Sequence, residues 1–161
     1  MKLTHIDDEG NARMVDITEK KETQREARAY GQVKMSAGTY SVIKTGKGPK
    51  GDIFTVAKIA GIMATKKTHE IIPLCHPLSL THVDVDYSFD DRKHVVGITS
   101  TVRTKGQTGV EMEAINCAMI VALTIYDMCK AVDKGIELGP FYLLEKSGGK
   151  SGKFVRKFRN A

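Results

Sequence analysis

TGVEMEAINCAMIVALTIYDMCKAVDK, residues 108–134, decides the fold. Thr108 and Gly109 offer an N-cap, Glu111 and Glu113 put two carboxylates in the first turn, and Gly135 follows the last one. Anions near the positive end of the helix dipole and a glycine past its far end are the usual punctuation of a helix. Between Ala114 and Ile125 only Asn116 and Thr124 are polar. A surface helix carries one apolar stripe, whereas one that is apolar nearly all round is buried on several sides. The run falls short of the about 20 apolar residues that a membrane span requires. It reads as the central core helix, covered by a sheet and by another subunit. Asp127 and Lys130, three residues apart, share a face on its last turns. On spacing alone they read as a solvated pair, and the glutamates as partners of the dipole.

Working outward, HVDVDYSFD (82–90) sets Val83, Val85, Tyr87 and Phe89 against His82, Asp84, Asp86 and Ser88. HVVGITSTVRT (94–104) sets Val96, Ile98, Ser100 and Val102 on one face, and Asp90 to Lys93 make the turn between the two. Period-two alternation on both sides of a polar turn predicts a hairpin with one wet side. REARAYGQVKM (25–35) alternates in the same way and predicts a further strand, although its alanines also allow a helix; a helical turn at TYSVIKTG (39–46) follows. Asp52 is an N-cap for a helix with a stripe of Ile53, Val56, Ala57, Ala60, Met63 and Ala64. Residues 137–145 carry Pro140, which predicts an edge strand. MVDIT (14–18) suggests a short edge segment. Strand–helix–strand–strand–helix–strand is the split βαββαβ order of an α+β, ferredoxin-like domain, an antiparallel sheet with helices on one face. One such domain is expected over residues 1–152, with a basic, mobile tail over 153–161.

Composition bounds the function. At 161 residues, 41% hydrophobic and 27% charged, the chain is one ordinary globular domain. No apolar leader opens it, and Cys75, Cys117 and Cys129 read as reduced thiols, so a cytoplasmic protein that does not enter the membrane is expected. A net charge of +6 calls for an anionic partner, although much of it sits after Lys146. Gly46-Lys47-Gly48-Pro49-Lys50-Gly51-Asp52 before a helix is either an anion cradle or a solvated loop, and it lacks the spacing of a Walker loop. The glycine-rich stretch 146–152 offers Lys146 and Lys150 as phosphate ligands. Leu74-Cys75-His76, held stiff between Pro73 and Pro77, presents a histidine to a pocket; no paired-cysteine spacing supports zinc. A nucleic-acid-binding module is disfavoured because the strand 94–104 has no aromatic residue on which a base would stack. A purely structural oligomerisation domain leaves Lys50, His76, Asp127 and Lys130 unexplained.

KGDIFTVAKIAGI (50–62), IIPLCHPL (71–78), GQTGVEMEA (106–114), ALTIYDMCKA (122–131) and LLEKSGGKSG (143–152) together resemble one family. It is the molybdenum-cofactor biosynthesis protein C family, the cyclic pyranopterin monophosphate synthases. KFVRKFRNA (153–161) maps onto none of its motifs. The resemblance implies a phosphorus–oxygen lyase that turns 3′,8-cyclo-7,8-dihydroguanosine 5′-triphosphate into cyclic pyranopterin monophosphate and diphosphate. Asp127 and Lys130 suit the proton transfers of that reaction, and Lys50 suits charge stabilisation on the α-phosphate or a role as acid, so these three are the expected catalytic groups. Leu74, Cys75, His76, Glu111, Met112, Glu113, Lys146 and Lys150 are then substrate-binding residues, the two lysines on chemistry alone. No redox cofactor is called for, and Mg²⁺ on the substrate phosphates is compatible. A hexamer built from dimers, with pockets at the dimer interface, is expected on the same ground.

Overall fold

Small residues on one face of a long strand let everything else pack close. The computed structural model describes residues 4–45 and 51–158, and in it β1 (Thr23–Lys34) is the central strand. Ala27, Ala29 and Val33 are fully buried on its inner face. Gly31 completes that row, because a Cβ there would stand 2.6 Å from the ring of Phe141. β1 pairs antiparallel along its whole length with β3 (Val95–Gly106), from Thr23↔Gly106 to Lys34↔Val95. β3 pairs in turn with β2 (Leu80–Asp90), the hairpin expected from the alternation.

The expected final strand is split. β4 (Glu137–Leu138) and β5 (Tyr142–Ser147) both pair with β1, and the cis Gly139–Pro140 bond lies between them. Pro140 therefore interrupts the pairing rather than sitting within an edge strand. Beyond β5 the C-terminal segment adds β6 (Phe154–Val155), so the sheet runs β2-β3-β1-β5-β6. The first four strands are those of the ferredoxin-like arrangement, each antiparallel to its neighbour. MVDIT does not pair as a strand; the 4–22 segment holds only an Ile6–Ala12 bridge and local turns.

α1 (Ala37–Lys44) is capped by Ser36, and α2 (Ile53–Thr65) by Asp52, as its sequence suggests. The buried stripe of α2 is Ile53, Ala57, Gly61 and Thr65, whereas Val56, Ile59 and Met63 are exposed. The expected stripe therefore straddles two faces, only one of which turns inward, chiefly against α4. A short α3 (Thr68–Ile71) follows.

α4 spans Glu111–Cys129, shorter than the expected 108–134 at both ends. Val110 occupies the N-cap without a side-chain bond, so Thr108 is no cap, and the chain leaves the helix five residues before Gly135. By length and apolarity α4 meets the requirement for crossing a bilayer, yet it is the element on which the sheet and α2 both pack. Ser100 Oγ donates to the Ala114 carbonyl at 2.6 Å, binding β3 to the helix. Asn116 Nδ2 donates to the Ala64 carbonyl (3.1 Å) and Thr68 Oγ1 (3.0 Å), which accounts for a polar residue in the apolar run.

Gly61 marks the crossing of α2 over α4: an added Cβ would lie 2.5 Å from Val121 Cγ2 and 3.1 Å from Cys117 Sγ. Gly61→Ala is expected to destabilise by roughly 1–3 kcal/mol through overpacking, despite the better helix propensity of alanine. Urea titration followed by circular dichroism measures it; an unchanged or raised midpoint would show that the two helices yield.

Candidate active site

The N-terminal end of α4 gathers most of the candidate residues. Lys146 Nζ lies 3.7 Å from Glu111 Oε1 and bonds Ser151 Oγ, which folds the 146–152 loop back toward the helix. Gly148 and Gly149 take φ of +93° and +72°, a backbone that residues with a side chain rarely adopt. They lie against the Gln24 carbonyl and the Arg25 guanidinium, respectively, where no Cβ would fit. Arg25 is a residue that the sequence alone did not single out. Its Nε donates to the Gly106 carbonyl at 3.1 Å and Nη2 to that of Gln107 at 2.9 Å. It thus fixes the loop before α4 while presenting its charge to the glycine loop. Within a strand read by alternation, an outward arginine looks like any solvated one, so only the tertiary pairing reveals it.

Cys75 and His76 are half-buried at the same end. Burial pushes the Cys75 thiol up, and the negative field of Glu113 adds to it. Glu113 is only 5% exposed. Burial raises its carboxyl from 4.5 to about 7, and the charge of Glu111 adds to that. A carboxylate expected to be ionised is thus poised to be protonated or ionised near neutrality. A second residue unsuspected from sequence is Asp16, whose carboxylate accepts from Thr18 N (2.9 Å) and Oγ1 (2.7 Å). Those bonds hold it below the usual carboxylate range, with a smaller contribution from His76 nearby. Gln107 Nε2 ties the Thr18 carbonyl to the same loop at 3.2 Å. Leu74 is half-buried, Met112 exposed, and Lys150 exposed on the glycine loop. Among the described residues no group of three or more His, Cys, Asp and Glu stands close enough to hold a metal ion.

The other end of α4 holds the pair Asp127–Lys130. Lys130 Nζ donates to Asp127 Oδ1 at 2.5 Å, and this bond raises the lysine above its ordinary range, holding it as an ammonium. The pair borders a cleft of about 490 Å³ lined by Leu123, Thr124, Tyr126, Asp127 and Lys130. All five belong to α4 or its cap, so the cleft has a floor and no opposite wall. A larger hollow of about 580 Å³, on the open face of the sheet around Tyr30, Gln32 and Gly97, contains none of the candidate residues. Lys50 lies outside the described residues. Glu113 and Asp127 are 14 positions apart on one helix, hence about 21 Å along its axis. One chain therefore divides the expected site into two groups.

The chain matches the MoaC family over residues 14–149 and belongs to it. It is 55% identical to the cyclic pyranopterin monophosphate synthase of Pelotomaculum thermopropionicum, over 99% of this chain and 94% of that one. It is 54% identical to that of Roseiflexus sp., over 95% and 97%. Against that of Heliobacterium modesticaldum the figures are 52% identity over 96% and 98%.

The raised carboxyl of Glu113 has a consequence for stability. Because the folded state holds the proton more tightly than the unfolded one, stability falls as pH rises from about 4.5 to about 7. The loss persists above that window. Glu113→Gln has no proton to release, so it is expected to gain on the wild type by about 3 kcal/mol above neutrality and not below pH 4.5. Urea midpoints of both proteins across this range measure it; parallel pH dependences would mean that Glu113 is not desolvated.

Proposed function

We propose that this chain converts 3′,8-cyclo-7,8-dihydroguanosine 5′-triphosphate into cyclic pyranopterin monophosphate with release of diphosphate, in molybdenum cofactor biosynthesis. The observation that carries the reading is the cationic cup at the start of α4. There a loop folded at positive-φ glycines sets Lys146 beside Glu111 and lays Gly149 against the Arg25 guanidinium, at the same end as Cys75, His76 and Glu113. Relatives that match nearly the whole chain bear the name of this synthase.

The reaction needs proton transfers that open and reclose rings, a grip on three phosphates, and attack of a sugar hydroxyl on the α-phosphorus. Lys146 and Lys150 serve the grip. Glu113, once ionised, accepts hydrogen bonds from guanine-like N–H donors, and a bound donor draws the carboxyl toward that form. Asp127 and Lys130 divide proton transfer: the lysine, held as an ammonium, gives a proton, and the carboxylate takes one. Lys50 stabilises charge on the α-phosphate. No redox cofactor enters the scheme, and Mg²⁺ arrives, if at all, on the substrate phosphates. The reduced thiols suit a cytoplasmic enzyme.

The pocket is built by two chains. A cleft walled only by α4 and a 14-residue separation of Glu113 from Asp127 both favour a two-fold contact, which sets opposite helix ends side by side. Val56, Ile59 and Met63 on α2, with Met119 and Leu123 on α4, expose apolar surface for it. A hexamer of three such dimers completes the proposal.

Asp127→Asn and Lys130→Ala are each expected to reduce turnover by roughly 10²–10⁴-fold with the melting temperature unchanged, since each exposed group serves chemistry rather than packing. Diphosphate release from the cyclic dihydro intermediate is the assay, and either variant keeping half its activity would lose its place in the mechanism. Lys146→Ala and Lys150→Ala should raise KM with little effect on kcat, as expected for groups that bind remote phosphates. Co-refolding equal amounts of inactive Glu113→Ala and Asp127→Ala chains should restore about a quarter of wild-type activity, because half the dimers are mixed and each carries one intact pocket. No recovery, with mixed dimers confirmed by mass spectrometry, would assign both residues to one chain.

A further inference from the structure

Residues 153–158, beyond the family match over 14–149, are tied down more firmly than their exposure suggests. Phe154 and Val155 pair with Lys146 and Glu145, so the two ends of the glycine loop are drawn together. That loop holds Gly148, Gly149 and Gly152, all at positive φ. Glycine loses more freedom on ordering than other residues, and a two-residue ladder is weak closure by itself. Arg156 supplies the rest. Its backbone N–H donates to the Leu144 carbonyl at 2.7 Å, its Nε donates to the Leu143 carbonyl at 2.8 Å, and its guanidinium lies 4.6 Å from the centre of the Tyr142 ring. Phe158 meets the same ring edge-on at 5.9 Å. Tyr142 stacks on Tyr30 of β1 at 5.2 Å. Two aromatic side chains thus anchor the tail to the central strand.

We propose that Arg156 is a positioning residue that clasps the C-terminal segment onto β5 and so holds the 146–152 loop in the shape that grips the phosphate chain of a nucleoside triphosphate. The inference rests on the assignment of Lys146 and Lys150 to phosphate binding. The side chain of Arg156 is engaged with the Leu143 carbonyl and the Tyr142 ring, so its contribution is geometric rather than that of one more cation. Without the clasp the C-terminal side of the loop is held only by the two-residue ladder and the Lys146–Ser151 bond, and the loop that carries Lys146 and Lys150 loses its set shape. Lysine cannot replace arginine here, because an ammonium offers neither the planar surface nor the Nε–H.

The test uses full-length Arg156→Ala and Arg156→Lys, with Lys146→Ala and Lys150→Ala beside them. Two quantities are read: KM and kcat for diphosphate release, and affinity for inorganic tripolyphosphate by calorimetry. Both Arg156 variants are expected to raise KM and weaken tripolyphosphate binding by the same factor of about ten, with kcat within about twofold of wild type. Their melting temperatures should not move, since the clasp lies outside the core. Wild-type affinity in Arg156→Lys alongside a loss in Arg156→Ala would reduce the residue to a charge and overturn the clasp. Wild-type affinity in both, with Lys146→Ala and Lys150→Ala weakened, would overturn the clasp and leave the phosphate loop standing. Unchanged tripolyphosphate affinity in the lysine variants themselves would remove the phosphate loop, and the clasp with it.

Discussion

Close approach of α4 to the β1–β3 pair is the constraint on which the remainder depends. Side chains of Ala27, Ala29, Ala114 and Ala118 at this contact are all fully buried and small, so helix and sheet meet nearly backbone to backbone. Gly61 does the same where α2 crosses. Dense interiors transmit small displacements rather than absorbing them. An element seated this tightly gives Glu113 a desolvated place, and it gives the loops at either end of the helix a fixed reference. The candidate residues on α4 are thus placed by packing.

The two ends of α4 differ in physical character. At its start, polar groups are layered: Arg25 braces the 106–107 carbonyls, and Glu111 answers Lys146 across 3.7 Å. Asp16 lies near His76. Charges there are partly withdrawn from water and act on one another, as the raised Glu113 and Cys75 record. At its end, Asp127 and Lys130 form an exposed pair within one helix, of the kind that contributes little to stability.

Much of this was legible from residue pattern. The alternation in 82–90 and 94–104 gave the hairpin and its inner face because period-two burial is a local property. Asp52 was legible as a cap for the same reason. The buried stripe of α2 is not legible because apolar residues occur on two faces of that helix, and sequence does not say which one will pack against α4. Pro140 was read as lying within a strand, yet it separates two short ones on the same partner. Arg25 is not legible because its partners Gly106 and Gln107 lie some 80 residues further along the chain, and Asp16 because its distant neighbour is His76. Tail pairing at β6 was missed because two paired residues carry no periodic signal.

α4 also acts as a ruler whose reading is angular as well as linear. Each added residue advances a helix by about 1.5 Å and turns it by about 100°. One residue gained or lost between Glu113 and Asp127 would therefore swing the Asp127–Lys130 pair to a different azimuth while the start of the helix stayed seated. Compensation would require a near-whole number of turns, and the tightly packed alanines and Gly61 leave no slack for the extra length. The number of residues between those two positions thus sets the azimuth of the Asp127–Lys130 pair relative to the start of the helix.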